Sequence, residues 1–268
     1  MATFSGVPDT LFIPLTARIY ISKHFPDYFY DEKALEIEEK IPASCFVKNN
    51  QYQHFANVSC FYNMDRIVKA FIEEHGDCNV VNLGCGFETN YWRIHDERAA
   101  FYELDLEEVI DKRKMVLGES ERDILLPYSM FDLTWTKHID QTKPTLLTAR
   151  GVFEYFQNED IVRLLKDIAS LLPNVEVVFD CPSSKALSYV NRYVKKTGNE
   201  SARIYFFVDD EDDFAKQANA RLLSSQTFYR QTRSVLRKGL NLYTKIAMRV
   251  VDRKRLGLVI HLRLLGRA

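Results

Sequence analysis

A chain of 268 residues that is 46% apolar can bury one substantial core, with little room for two independent ones. Its 10 glycines and 8 prolines are too few for a fibrous or low-complexity chain. With 36 basic against 37 acidic residues, there is no bulk charge to attract nucleic acid or a membrane surface. The five cysteines, Cys45, Cys60, Cys78, Cys85 and Cys181, show no Cys-x-x-Cys spacing, an odd set that reads as reduced and intracellular. No basic leader precedes the apolar stretch from Leu11, which Pro14 and Arg18 interrupt, and no run approaches the ~18 apolar residues of a membrane span. These features predict a soluble, cytoplasmic protein.

Residues 1–77 read as helical. Leu11 to His24, Glu32 to Lys40 and Gln51 to His75 each carry apolar residues at helical spacing, and Gly76 is a C-cap signal. Strands and helices then alternate. Short apolar runs at Val80–Leu83, Ala99–Leu104, Ile124–Tyr128, Thr145–Ala149 and Val175–Asp180 predict buried strands. Glu107–Leu117 and Asn158–Leu172 are the clearest helices between them, the second with Asn158 as its N-cap. This order predicts a mostly parallel sheet with helices on both faces. Beyond Pro182 come a helical segment to about Thr197, the aromatic run Ile204–Val208, a strand near Leu222–Phe228, and a final strand Leu258–Leu265 suited to antiparallel insertion. The expected organisation is one domain: a helical cap over 1–77, a ligand-binding core over 78–182, and an acceptor-side insertion with the last strands over 183–268.

The first strand ends in Asn82-Leu83-Gly84-Cys85-Gly86, and Glu103-Leu104-Asp105 closes the second, with Asp105 19 positions after Gly86. That is the layout of a nucleotide-type ligand site at the carboxyl edge of a parallel sheet. The glycines allow a tight turn and close backbone approach, while the acid can accept hydrogen bonds from both ribose hydroxyls. The third glycine of a dinucleotide fingerprint is replaced by Thr89, so an adenosyl ligand without phosphates fits better than a pyrophosphate. The plainer alternative is that Gly84 and Gly86 only turn the chain from strand to helix.

Charge is unevenly placed. From Phe228 to Ala268 there are eleven Lys or Arg residues and one acid, Asp252, against the acidic run Asp209 to Asp213. A solvated helix face with an edge strand explains this, and so does a docking surface for an acidic partner.

Asn82 to Arg93 resembles the first motif of the leucine carboxyl methyltransferase superfamily, in particular its bacterial branch of polyketide O-methyltransferases. Tyr102 to Ile110, Phe131 to Trp135, Gly151 to Phe156 and Phe179 to Pro182 match further motifs in the same order. Leu15-Thr16-Ala17-Arg18 and Asp31-x-x-Ala34 also fit that branch. The resemblance implies a class I S-adenosylmethionine-dependent methyltransferase fold, α/β and Rossmann-like, with a seven-stranded mostly parallel sheet and a helical N-terminal cap. It implies that Gly84 and Gly86, after Asn82, border the methionine part. Asp105 matches the ribose acid with Glu103 as backup, and Asp132-Leu133 matches the pair that holds the adenine. There are two departures. An acid usually precedes the Gly-Val element, where this chain has Arg150, and the arginine usual on the helix before the first strand aligns with Cys60 or Tyr62. Arg150 is therefore the candidate cation for the methionine carboxylate, or else a salt-bridged strand-end arginine.

Methyl transfer from a sulfonium is an in-line displacement that needs alignment and exclusion of water. A carboxylate acceptor is already ionised and needs no base, whereas a hydroxyl needs one within reach. Of six histidines only His54, His95 and His138 fall near the site elements, and no His/Cys set has zinc-like spacing. With no side chain assigned to catalysis, the expectation is a small carboxylic acid, or a hydroxyl, held among aromatic residues such as Tyr52, Phe61, Tyr155 and Tyr189. The competing readings are a protein C-terminal carboxyl methyltransferase docking through the basic segment and a non-catalytic S-adenosylmethionine-binding protein. A nicotinamide oxidoreductase is disfavoured by Thr89.

Overall fold

The computed structural model describes residues 11–46, 49–196, 203–236 and 238–266. Seven strands form one sheet: β1 (Cys78–Leu83), β2 (Ala99–Asp105), β3 (Asp123–Pro127), β4 (Thr145–Ala149), β5 (Val175–Pro182), β6 (Ala220–Thr227) and β7 (Gly257–Leu264). Their order is β3-β2-β1-β4-β5-β7-β6, with the first five parallel and β7 antiparallel to both its neighbours. The late strand is thus inserted between β5 and the edge strand β6. The α/β class and the seven-stranded, mostly parallel sheet expected from the sequence are what the structure shows.

Alternation along the strands divides the core in two. Val81, Leu147, Val177 and Ile260 pack on one face with α6 (Asn158–Leu171). Val80, Phe101, Leu146, Val178 and Val259 pack on the other with α3 (Gln51–His75), through Phe61, Met64, Val68 and Phe71. A reciprocal cap starts α3, because Asn50 accepts from the Gln53 amide (2.9 Å) while the Gln53 side chain accepts from the Asn50 amide (2.8 Å). Gly76 ends it at φ +67°, as its sequence position suggests. Helix α1 (Phe12–His24) lies against α3 through Ala17 and Ile21, and on its other side Phe12, Leu15 and Ile19 form a further cluster with Ile37, Phe87, Val116 and Leu117. Residues 1–10 of the expected cap, and the end of the segment read to Thr197, lie outside the described residues.

Two expectations need correction. The helix read over Glu32–Lys40 breaks into α2 (Glu32–Glu36) and a 3-10 turn at Glu38–Lys40, divided at Ile37, whose side chain is buried. Asn158 does not cap α6; Gln157 stands at the cap. The Asn158 amide is instead spent on both backbone groups of Phe207 (2.8 and 3.2 Å), which pins the aromatic run 204–208 beside β5 without making it a strand. The acidic run is the start of α8 (Glu211–Gln217), where Asp210 accepts from the Asp213 amide (2.9 Å) and the acids meet the positive end of the helix dipole. Several basic C-terminal residues are likewise paired internally, Arg233 with Asp252, Arg255 with Glu211 and Arg263 with Glu176. Among the described residues no helix is long and apolar enough to cross a membrane.

Because β1, β4 and β5 need α3 to cover one face, a fragment beginning at Asn79 is expected to be insoluble or to lack a cooperative unfolding transition. Circular dichroism during urea titration of the fragment beside the full chain checks this.

Candidate functional site

Leu83 pairs with Leu104 on one side and Ala149 on the other, so the carboxyl ends of β1, β2 and β4 come together where the strand order reverses. At that point the chain turns sharply. Gly84 has φ +59° and Gly86 φ +48°. A Cβ on Gly84 would lie 2.4 Å from Val152, and one on Gly86 2.9 Å from Leu11. The glycines are therefore required by the protein's own packing across the turn, in addition to any ligand. Asp105 closes the turn from β2: one oxygen accepts from the Gly86 amide and the other from the Leu106 amide, both at 2.8 Å. Burial raises its carboxyl above the ordinary range, while these two amides pull it back.

Beneath the turn Asn82 exchanges amide hydrogen bonds with Asn90 (2.9 and 2.8 Å), donates to Glu103 (2.8 Å) and accepts from Thr148. Glu103 is fully buried beside Arg113 of α5 (Glu107–Leu117), at 3.4 Å, and burial pushes its carboxyl up to about 8 against the pull of that arginine. Arg113 in turn donates to the carbonyls of Gly86 (3.2 Å) and Glu88 (2.5 Å). Glu103 thus holds the turn from below.

The turn opens on a cavity of about 800 Å³ whose wall includes Asn82, Gly84, Gly86, Asp105 and Arg150. Glu103, Asp132 and Leu133 are not part of that wall. Glu103 is not placed as a second ribose acid, because the sheet edge encloses it. Asp132 is exposed and caps the short helix Leu133–His138, accepting from the Thr134 amide (3.2 Å) and hydroxyl (2.7 Å), and Leu133 packs onto the core. Both residues thus stand outside the cavity wall, with one Asp132 oxygen engaged at the start of this helix.

One flank of the cavity rests on six buried charges. Arg18 of α1 pairs with Asp31 (3.0 Å) and approaches Glu88 (4.0 Å). Arg93 of α4 (Asn90–Ile94) pairs with Asp31 (3.2 Å), Asp65 (2.8 Å) and Glu88 (2.8 Å), and Arg150 pairs with Asp65 (3.1 Å) and Glu88. Three guanidiniums meet three carboxylates, so the set is neutral. The Thr89 hydroxyl donates to Asp31 (2.6 Å) and accepts from Arg93 (2.6 Å), which gives a structural reason for threonine where a dinucleotide site has glycine. Burial brings Arg18 down to about 9 and also lowers Arg150. Burial would lower Arg93 too, but Asp65 and Asp31 outweigh it. Arg150 is both a cavity-wall residue and a salt-bridged strand-end arginine. Cys60, at the position of the family's helix arginine, lines the cavity, and Tyr62 stacks on Tyr28 instead.

Another part of the wall is apolar and aromatic, with Tyr52 of α3, Tyr155, Tyr189 of α7 (Ser184–Lys196), and Tyr243 and Ile246 of α10 (Leu242–Arg253), while Phe61 of α3 lies against the three arginines. No histidine lines the cavity among the described residues. His54 stacks on Tyr20 (3.8 Å) and is lowered to about 4 by burial, while His138 bonds the Tyr128 hydroxyl (2.8 Å). No metal-binding group occurs among the described residues. Sequence reading missed Asp65, Glu88, Arg93, Glu154 and Asp180 as site residues. A carboxylate inside an apolar helical stripe, as Asp65 stands between Met64 and Val68, is the signal that could have marked one of them.

The leucine carboxyl methyltransferase family matches over residues 60–169, the stretch from α3 through the glycine turn and Asp105 into α6. The chain is 22% identical over 199 residues to the tetracenomycin polyketide synthesis O-methyltransferase of Streptomyces glaucescens, covering 72% of this chain and 73% of that one. Its fold is similar to a DUF574-family protein of Streptomyces avermitilis (TM-score 0.59, 16% identity, 93% of this chain and 97% of that chain). It is also similar in fold to the magnesium protoporphyrin IX methyltransferase of Synechocystis with bound S-adenosylhomocysteine (TM-score 0.50, 12% identity, 92% and 99%). These likenesses, with the strand order, mark an S-adenosylmethionine-dependent methyltransferase of the class I fold. The resemblance to the leucine carboxyl methyltransferase superfamily, and within it to the tetracenomycin-type enzymes, is borne out.

Breaking the six-charge set should be costly, because a lost partner leaves a buried charge uncompensated. Asp65→Ala is expected to destabilise the protein by about 3–5 kcal/mol, measured from the urea midpoint and slope. A far smaller loss would mean that Arg93 and Arg150 are satisfied without it.

Proposed function

We propose that this protein transfers a methyl group from S-adenosylmethionine to an oxygen of a small, largely apolar acceptor of polyketide-like character. The observation that carries the reading is one cavity with two unlike ends. The glycine turn and Asp105 border one, and aromatic and aliphatic side chains of α3, α7 and α10 border the other. Asp105 suits the ribose because its carboxylate is already oriented by two backbone amides and lies on the wall, so both hydroxyls can donate to it without reorganisation. Gly84 and Gly86 would border the methionine part, with Asn82 behind them and the guanidiniums of Arg150 and Arg18 on the same wall, Arg18 donating to the Phe87 carbonyl beside the turn. When bound, the cofactor supplies an electrophilic methyl on a sulfonium. The chain's part is to align the acceptor oxygen behind that methyl, and the apolar flank excludes water while doing so. The acceptor class is supported by the aromatic wall and by the name of the tetracenomycin relative, and either a carboxyl or a hydroxyl is compatible with both.

S-adenosylhomocysteine is expected to raise the melting temperature, and NAD is not. Asp105→Ala should weaken S-adenosylhomocysteine binding by at least ~1.5 kcal/mol, the lower end for a hydrogen bond to a charged group, as read by calorimetry. Unchanged affinity would remove Asp105 from the ribose site.

A further inference from the structure

Two acids on the cavity wall stand outside the six-charge set. Glu154 belongs to the 3-10 turn Phe153–Tyr155 after β4, and Asp180 to β5. Both converge on the backbone of Gly151. Asp180 accepts from the Gly151 amide (2.7 Å), and a Cβ placed on Gly151 would lie 3.9 Å from Oε1 of Glu154. The next residue, Val152, is the one against which Gly84 packs, since a Cβ on Gly84 would lie 2.4 Å from it. A short run of contacts thus ties both acids to the glycine turn, and Gly84, Gly151 and Val152 share the cavity wall with them. Among the described residues, neither acid has an ion-pair partner. Independently, the guanidiniums of that wall are committed. Arg150 gives Nη1 to Glu88, Nη2 to Asp65 (3.1 Å) and Nε to the sulfur of Met64 (3.1 Å). Arg18 gives Nε to Asp31 (3.0 Å) and Nη2 to the Phe87 carbonyl (2.5 Å). The remaining wall cation, Lys185 of α7, is exposed, where solvent screens its charge.

We propose that Glu154 and Asp180 hold the ammonium of the methionine tail, and that this chain grips the tail by that ammonium more than by its carboxylate. This rests on the S-adenosylmethionine reading above, and it decides between the two roles open to Arg150. The guanidinium is a structural partner of Asp65 and Glu88, and not the main anchor of a ligand carboxylate. An ammonium carries a full charge and three donors, and two unpaired carboxylates on one wall offer it charge-assisted hydrogen bonds in place of water. A carboxylate in their neighbourhood meets two like charges, and guanidiniums whose hydrogen bonds are already made. Cys60, at the position of the family's helix arginine, is a buried thiol that burial pushes up, so it stays neutral and adds no cation for the carboxylate. Burial also raises both acids, Glu154 to about 8, an electrostatic cost that a cation beside them relieves.

The test is calorimetry on the full chain with four ligands: S-adenosylhomocysteine, its analogue without the amino group, its analogue without the carboxylate, and methylthioadenosine, which lacks both. In the wild type, loss of the amino group should weaken binding at least about thirtyfold, and loss of the carboxylate less than about fivefold. Glu154→Gln and Asp180→Asn should each weaken S-adenosylhomocysteine at least about tenfold, while leaving the amino-free analogue and methylthioadenosine within about threefold of wild type. Equal losses for the two analogues, or a larger loss without the carboxylate, overturn the proposal. So do variants that bind S-adenosylhomocysteine as the wild type does. A uniform loss across all four ligands assigns the acids a structural role and also overturns it. The analogue contrast is read on the wild type, so it decides the matter even where a variant fails to fold. Methylthioadenosine bound as tightly as S-adenosylhomocysteine overturns the proposal and leaves the cofactor assignment standing. If none of the four ligands binds, the cofactor assignment beneath the proposal is what fails.

Discussion

The interaction on which the structure depends is the buried set of Arg18, Arg93 and Arg150 with Asp31, Asp65 and Glu88. It joins distant parts of the chain: α1 and the start of α2, the middle of α3, the helix after the glycine turn, and the end of β4. Taking six charges from water costs several kcal/mol for each ion, and attraction repays that only when the geometry is good. The set is therefore intolerant of displacement, and it fixes how the N-terminal helices lie over the sheet edge. Phe61 adds a ring under all three guanidiniums, 4.7 Å from Arg18, 5.6 Å from Arg93 and 5.1 Å from Arg150.

With that flank fixed and electrically neutral, the remaining charges of the cavity stand out. Asp105 is held by backbone amides and points to a ribose. Glu154 and Asp180 line the same wall and, among the described residues, have no ion-pair partner. The methionine part of S-adenosylmethionine carries a sulfonium and an ammonium against one carboxylate, so the molecule is net positive. A wall whose arginines are already matched, with carboxylates left over, complements that charge.

Much of the fold was legible in the sequence because buried parallel strands are short apolar runs and the helices between them keep a 3.6-residue stripe. The central strands β1 and β4 are buried throughout and were easily found. Gly84, Gly86 and Asp105 were readable because a positive φ and a strand-end acid leave marks at fixed spacing. What was not readable depends on contacts between distant residues. Arg150 gains its carboxylates from positions 85 and 62 residues away, and no local pattern reports such pairing. Asn158 has the composition of a cap, yet its amide serves Phe207, 49 residues on. Asp132, marked by its motif, also caps a helix through Thr134, two positions on, a local role that its motif match does not report.

A crystal structure of the protein with S-adenosylhomocysteine tests the central claim most directly. The account predicts both ribose hydroxyls within hydrogen-bond distance of Asp105 and the homocysteine tail running past Gly84 and Gly86 toward Arg150. A ribose bound away from Asp105, or a homocysteine tail directed away from the glycine turn, would contradict it.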